Sequence, residues 1–205
     1  MTEISEADLA TLLSRAAVGR SRVLVAVVGA PGSGKSTLAE RLAASLPGAQ
    51  AIPMDGFHLD NHTLAARGLL ERKGAPETFD AEGFAAFVRA LATGAQASYP
   101  TFDRSADAVV PDGGRIAPDT HIYVVEGNYL LLDEDPWRGL DRLWDMTVAL
   151  DVAEAELERR LVRRWMDHGH AEEDALRRAH SNDLVNARAI RDRSRPASYT
   201  IRFTG

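Results

Sequence analysis

Arg22-Val-Leu-Val-Ala-Val-Val-Gly29-Ala-Pro-Gly-Ser-Gly-Lys35-Ser-Thr-Leu38 is the stretch that decides the fold of this 205-residue chain. The β-rich apolar run Val23 to Val28 stops at Gly29, and G-x-x-x-x-G-K-S runs from Gly29 to Ser36. Leu38, Leu42 and Leu46 then follow at helical spacing. Strand, glycine loop, helix is the context in which this pattern makes a phosphate-binding loop. Glycines keep side chains out of the way, so several backbone N–H groups can converge on phosphate oxygens. The helix behind adds the positive end of its dipole. Gly29, Ala30, Pro31, Gly32, Ser33, Gly34, Lys35, Ser36 and Thr37 are therefore the expected nucleotide cradle. Lys35 supplies a point charge to the terminal phosphates, and the Ser36 hydroxyl is the expected Mg²⁺ ligand.

Working outward, the bulk properties fit one globular domain. Hydrophobic residues make up 45% and charged residues 26% of the chain, both ordinary values. A net charge of −6 gives no broad basic surface for nucleic acid. There is no cysteine, which removes disulfides, thiolate chemistry and cysteine-based zinc sites. Lys35 and Lys73 are the only lysines, and the other 22 basic residues are arginine. That a lysine stands in the glycine loop of so arginine-biased a chain fits the preference of a phosphate cleft for a compact ammonium. Met1 to Val18 has neither the pattern of a signal peptide nor that of a membrane span, so a cytoplasmic enzyme with no membrane partner is expected.

Periodicity sets out the remaining elements. Residues 5–17 read as an amphipathic helix and 49–54 as a second strand; 59–72 are weakly helical. Residues 81–93 form a helix capped by Thr78 or Asp80 and ended by Gly94. Gln96 to Phe102 and Ala108 to Val110 are short extended pieces around Asp103-Arg104-Ser105, with Pro111-Asp112-Gly113-Gly114 as a turn. Strands are expected at 121–125, 146–151 and 199–203, a short helix or turn at 136–140, and helices at 153–167 and 172–193. Strands alternating with helices predict an α/β fold: a three-layer αβα arrangement around a doubly wound, mostly parallel sheet. The chain is expected to be a single domain, 1–205, with an N-terminal helix in 1–20, an insert in 56–118, and a helical lid with its flanking helices in 153–193.

In such sheets a ligand sits beyond the carboxyl ends of the strands. Those ends gather the glycine loop, then Asp55 and His58, then Glu126 and Asn128, then Asp151. Asp55 is placed to take a proton from an attacking hydroxyl or to hold Mg²⁺ through water. Glu126 ends a Walker B-like strand and is the other candidate for the metal's water shell. Arg159, Arg160, Arg163 and Arg164 form two i, i+4 pairs on one helix. As a stripe they suit a lid that neutralises charge on a moving phosphoryl group, with Gly169 as hinge or break. His168 and His170 are too close to share a helix face and read as solvated or packing residues.

With these residues placed, the chain resembles the P-loop small-molecule kinases, the group of uridine kinase, phosphoribulokinase and bacterial pantothenate kinase. Met54-Asp55-Gly56-Phe57-His58 is similar to the segment carrying their catalytic aspartate. Lys73 to Asp80 resembles their acceptor-site Gly-x-Pro-Glu-(Ser/Thr)-aromatic-Asp segment, and Tyr99 to Arg104 their Tyr-Asp segment, with Phe102 in place of the tyrosine. Glu126 falls in their Glu-Gly pair, and Arg160 to Arg164 resembles their lid. The resemblance implies a P-loop fold and transfer of the γ-phosphate of ATP, with Mg²⁺, to a hydroxyl of a small metabolite such as a nucleoside, pantothenate or sugar. It implies Asp55, Lys35 and Arg164 as catalytic residues and Arg160 as a further nucleotide contact. His58, Arg72, Glu77, Phe79, Tyr99, Asp103 and Arg104 would bind the acceptor, and Ser36, Asp55 and Glu126 would serve the metal. A nucleoside monophosphate kinase shares the glycine loop, but its acceptor phosphate needs no base. A guanine-reading regulatory NTPase would carry Asn-Lys-x-Asp, and neither lysine here follows an asparagine.

Overall fold

The computed structural model describes residues 1–95 and 97–203. In chain order the elements are β1 (Thr2–Glu3), α1 (Glu6–Ala17), β2 (Val23–Val28), α2 (Lys35–Ser45), β3 (Ala49–Pro53), α3 (Asn61–Ala66) and α4 (Ala81–Thr93). They continue with β4 (Ser98–Asp103), β5 (Ala108–Arg115), β6 (Ile122–Gly127), β7 (Met146–Val152), α5 (Glu154–Asp167), α6 (Glu172–Arg178), α7 (Leu184–Arg193) and β8 (Tyr199–Phe203). A 3-10 turn covers Met54–Phe57 and a longer 3-10 segment Trp137–Leu143, and a π-helical turn, Ala179–Asp183, joins α6 to α7.

Six strands form one parallel sheet in the order β1-β8-β7-β2-β6-β3. β2 and β6 lie inside it and are buried on both faces, which is why both read as continuous apolar runs. Their alternate residues divide between two cores. Val23, Val25, Val27, Ile122 and Val124 face Leu9 and Leu13 of α1 and Leu38 and Leu42 of α2. Leu24, Ala26, Val28, Tyr123 and Val125 face Phe84, Phe87, Val88 and Leu91 of α4, with Trp137 and Leu140. Each fully buried side chain of this size contributes about 1.5–3 kcal/mol. A third cluster, Val152, Leu157, Leu161, Ala179, Leu184 and Ala187, holds the end of β7, α5, the π-helical turn and α7 together.

The three-layer α/β expectation is met. Two local expectations are corrected. Pro111 to Gly114 is no turn: β5 runs through it, paired antiparallel with β4 and offset by an irregularity between Tyr99 and Thr101. The reversal falls at 104–107, between the two expected extended pieces, where Asp103 Oδ1 accepts from the Ser105 and Ala106 amides and Asp107 adopts φ +50°. An Asp-capped turn is locally better satisfied than a Pro-Gly one here, and the strand absorbs its special residue as Asp112 at φ +52°. The helix expected over 59–72 is only α3 followed by a 3-10 turn at Leu70–Arg72. Gln96, the expected start of the fourth strand, lies outside the described residues. The short strand β1 carries no periodicity from which a sequence could give it. Among the described residues no helix is long and apolar enough to cross a membrane.

Candidate active site

The carboxyl ends of β2, β3 and β6 meet at one cleft of about 840 Å³. At its floor is the glycine loop. Gly32 and Gly34 adopt φ +77° and +93°, a left-handed conformation that side chains disfavour. Ser33 N–H donates to Ala30 O at 3.1 Å, which closes the loop. Gly34 gives α2 no side-chain cap, so the first-turn N–H groups of the helix remain available to an anion. Lys35 lines the cleft. Behind the loop, Leu161 of α5 lies against Gly32, where an added Cβ would come within 3.2 Å of it.

Two carboxylates stand over this floor. Glu126 is buried, and its Oε1 accepts from Ser36 Oγ at 2.9 Å. Burial pushes its carboxyl above the ordinary value; Lys35 and the Ser36 hydroxyl pull the other way, and Asp55 adds to the rise. Asp55 sits in the 3-10 turn after β3, and its Oδ2 accepts from Arg104 Nη2 at 2.7 Å. Arg104 belongs to the turn between β4 and β5, so the hairpin delivers it. The hairpin is seated by backbone contact: a Cβ on Gly56 would lie 1.9 Å from Pro100 O. Ser36 and Glu126 are therefore joined, and Asp55 is close enough for its charge to act on Glu126.

The wall beyond Asp55 is aromatic and polar. His58 packs between Phe79 and Phe102, with ring centroids 4.0 and 4.8 Å away. Its Nδ1 faces the Asp55 carbonyl oxygen at 2.8 Å, so that nitrogen carries the proton and Nε2 is the acceptor of the neutral ring. Burial lowers the His58 pKa despite that bond and the nearby Asp55 charge. Lys73 donates to Asn61 Oδ1 and Asp107 Oδ1, each at 2.7 Å, and lies over the Phe102 ring.

The opposite wall comes from α5, α6 and the π-helical turn. The arginine stripe divides. Arg159 and Arg163 are paired at the surface with Glu156 and Asp167. Arg160 is held by Glu156 and donates to the carbonyls of Gly32 and Ser33 at 3.3 Å, bracing the loop from outside. Arg164 faces the cleft and pairs with the buried Asp183 at 3.3 Å. Asp183 also accepts from Trp165 Nε1 at 2.7 Å, and burial raises its carboxyl against the pull of Arg164. His168 and His170, on either side of Gly169, both set their rings edge-on to Trp165 and line the cleft. Asn182 and Asn186 accept from Arg72, and Asn182 donates to Lys73 O at 2.8 Å.

Of the expected acceptor residues, His58, Phe79 and Arg104 line the cleft and Arg72 braces it through the two asparagines. Three are placed elsewhere. Tyr99 is buried against Phe87, with its hydroxyl near Gln50, because β4 turns that side chain into the core. Asp103 is spent on the hairpin turn, accepting from Ser105 and Ala106. Glu77 is exposed and lies 3.9 Å from Arg72 on the outer side. Asp151 pairs at the surface with Arg202. Asn61, Asp107, Trp165, Asn182, Asp183 and Asn186 line the cleft without having been singled out in the sequence. Their polar types within otherwise amphipathic segments were the only signal.

The residues fit a nucleotide with Mg²⁺. A glycine cradle lies next to a helix start without a side-chain cap, and beside it Glu126 is buried with one hydroxyl partner, a carboxylate that a cation would relieve. No group of three or more His, Asp or Glu that would hold a metal by itself occurs among the described residues. A cation here therefore needs phosphate or water oxygens to complete its shell.

Residues 24–184 match the family described as phosphoribulokinase / uridine kinase. A provisionally named uridine kinase of Schizosaccharomyces pombe is 35% identical over 82% of this chain and 77% of its own. The uncharacterized protein YggC of Escherichia coli is 33% identical over 89% of this chain and 78% of its own. A crystal structure from Silicibacter sp. TM1040, provisionally described as a fructose transport system kinase, is 48% identical with a TM-score of 0.90, covering 96% of this chain and 98% of that one.

Proposed function

The chain belongs to the phosphoribulokinase / uridine kinase family, and from that premise we propose that it moves the γ-phosphoryl group of ATP to a hydroxyl group of a small metabolite. The observation that carries this reading is Asp55, a carboxylate oriented by Arg104 and standing beside the Ser36–Glu126 pair at the mouth of the phosphate loop. A phosphate acceptor needs no base, whereas a hydroxyl does.

In this reading the backbone of residues 29–37 binds the phosphates, and Lys35 adds its charge to the terminal ones. Ser36 would hold Mg²⁺ directly, with Asp55 and Glu126 through its water, and the ion would supply neutralisation of phosphate charge. Residues 56–118 build the acceptor wall and 153–193 the lid. Asp55 takes the proton as the acceptor oxygen bonds to the γ-phosphorus; the bond from that phosphorus to the β–γ bridging oxygen breaks, and ADP leaves. Arg164 stabilises charge on the moving group, and Arg160 keeps the loop in shape. The names of the relatives make nucleosides and sugars the first acceptors to try.

Asp55→Asn keeps an oxygen for Arg104 and removes the base. Turnover is expected to fall by roughly 10²–10⁴-fold, while the Kd for Mg·ATP, measured by calorimetry, stays within about threefold. A variant with near-normal turnover would remove Asp55 from the role.

A further inference from the structure

Asn128 is the polar side chain of the cleft that the account so far leaves without work. It follows β6 directly, is 9% exposed and lines the cleft, yet its Oδ1 is buried without a partner and its amide makes no hydrogen bond among the described residues. Buried amides are normally paired. Its place in the sheet says what it waits for. Pro53 is in register with Glu126 and Val28 with Gly127. β6 lies between β3 and β2 in the sheet, so Asn128 follows the strand whose two neighbours end in the Asp55 turn and the phosphate loop. It lines the same cleft as Asp55 and Lys35, the cavity that a hydroxyl reaching Asp55 must enter.

The charges of the cleft narrow the ligand. Lys73 is paired with Asp107, Arg104 with Asp55 and Arg164 with Asp183, at 2.7, 2.7 and 3.3 Å. Among the described residues, the cations of the walls without a carboxylate partner are Lys35 at the loop and Arg178, which lies over Trp165 on the lid. Glu71 lines the acceptor side and forms no ion pair among the described residues. On the acceptor side, across the cleft from Arg178, an anionic acceptor would meet a wall already neutralised or negative. Stacked rings and amides suit a neutral, polyhydroxylated one.

We propose that the Asn128 amide hydrogen-bonds a second hydroxyl of the acceptor, next to the one that attacks, and that the acceptor is a neutral polyol such as a sugar or the ribose of a nucleoside. The inference rests on the kinase reading above. Rotation about the last side-chain bond lets the amide offer either its oxygen or its N–H to that hydroxyl.

The test uses ADP release by the full chain with neutral acceptors (fructose, ribose, uridine) and anionic ones (pantothenate, glycerate, ribulose 5-phosphate). Asp55→Asn runs beside it. The best acceptor is then compared with its deoxy analogue in wild type, Asn128→Leu and Asn128→Ala. A neutral acceptor should win. Asn128→Leu should melt at or above the wild-type temperature, because it removes an unpaired amide, and should bind Mg·ATP normally. It should lose roughly 10- to 100-fold in kcat/KM. The deoxy analogue should lose as much on wild type and little more on either variant, since both changes delete one bond. Independent, multiplying losses would overturn the proposal. So would lost Mg·ATP binding, unchanged kcat/KM, or preference for an anionic acceptor. ADP release indifferent to every acceptor and to Asp55→Asn would remove the kinase reading itself, and this inference with it.

Discussion

Glu126 shows how a single side chain trades stability for chemistry. Burial holds its carboxyl above the ordinary value, so the folded chain binds that proton more tightly than the unfolded one. The contribution is fully present below the unfolded value of about 4.3 and is lost as pH rises through the folded one. Glu126→Gln removes that loss and keeps an oxygen for Ser36. In nucleotide-free protein its melting temperature should exceed wild type by a few degrees, on the order of 1 kcal/mol, with the gap widening from pH 5 to pH 8 and turnover falling. A gap that is flat or narrows across that range would show that the carboxylate is not strained by burial. At this scale the sequence is legible where the backbone dictates the residue. Gly29 to Thr37, Asp55 and Glu126 are read from strand ends; Pro31, Lys35 and Asp55 line the cleft, and Ser36 bonds Glu126 behind it. It is not legible where side-chain direction decides: Tyr99 and Phe102 lie three residues apart on one irregular strand, and only Phe102 reaches the cleft.

The β4–β5 hairpin and the helices from α5 to α7 are the elements that wall the cleft over the sheet. β4 and β5 carry Arg104 to Asp55, and they rest on Gly56 through the Pro100 carbonyl. Backbone cannot rotate away from an added methyl. Gly56→Ala should lift the hairpin, cost about 1–3 kcal/mol and lower the melting temperature by several degrees, with turnover falling as Arg104 leaves Asp55. An unchanged melting curve would contradict this seating. The far end of β5 was misread because Pro-Asp-Gly-Gly is a strong turn signal on its own, and pairing with β4 overrides it. The lid arginines were read as one stripe, and packing divides them. Arg159 is at the surface, so Arg159→Ala should change turnover less than about twofold. Arg164→Lys keeps the charge beside Asp183 but loses the planar fork, and turnover should fall on the order of 10²-fold. Equal effects in steady-state assays would return the stripe to a solvated face.

For the whole molecule, the alternation of strand and helix sufficed for the parallel sheet, because β2 and β6 are buried on both faces and read as unbroken apolar runs. The strand order, with β6 inserted between β2 and β3, was not legible. It depends on which edges meet, and that is what brings Glu126 next to both Ser36 and Asp55. The site thus owes its chemistry to a topology in which three strand ends separated in the chain become neighbours. The most direct test of the central claim is the fate of the γ-phosphate. ATP labelled there, with Mg²⁺ and a mixture of sugars, nucleosides and pantothenate, should pass its label to an acid-stable phosphomonoester only when a hydroxyl acceptor is present. Label found solely in inorganic phosphate whatever the acceptor, or moved to a nucleoside monophosphate added in its place, would contradict a hydroxyl phosphotransferase.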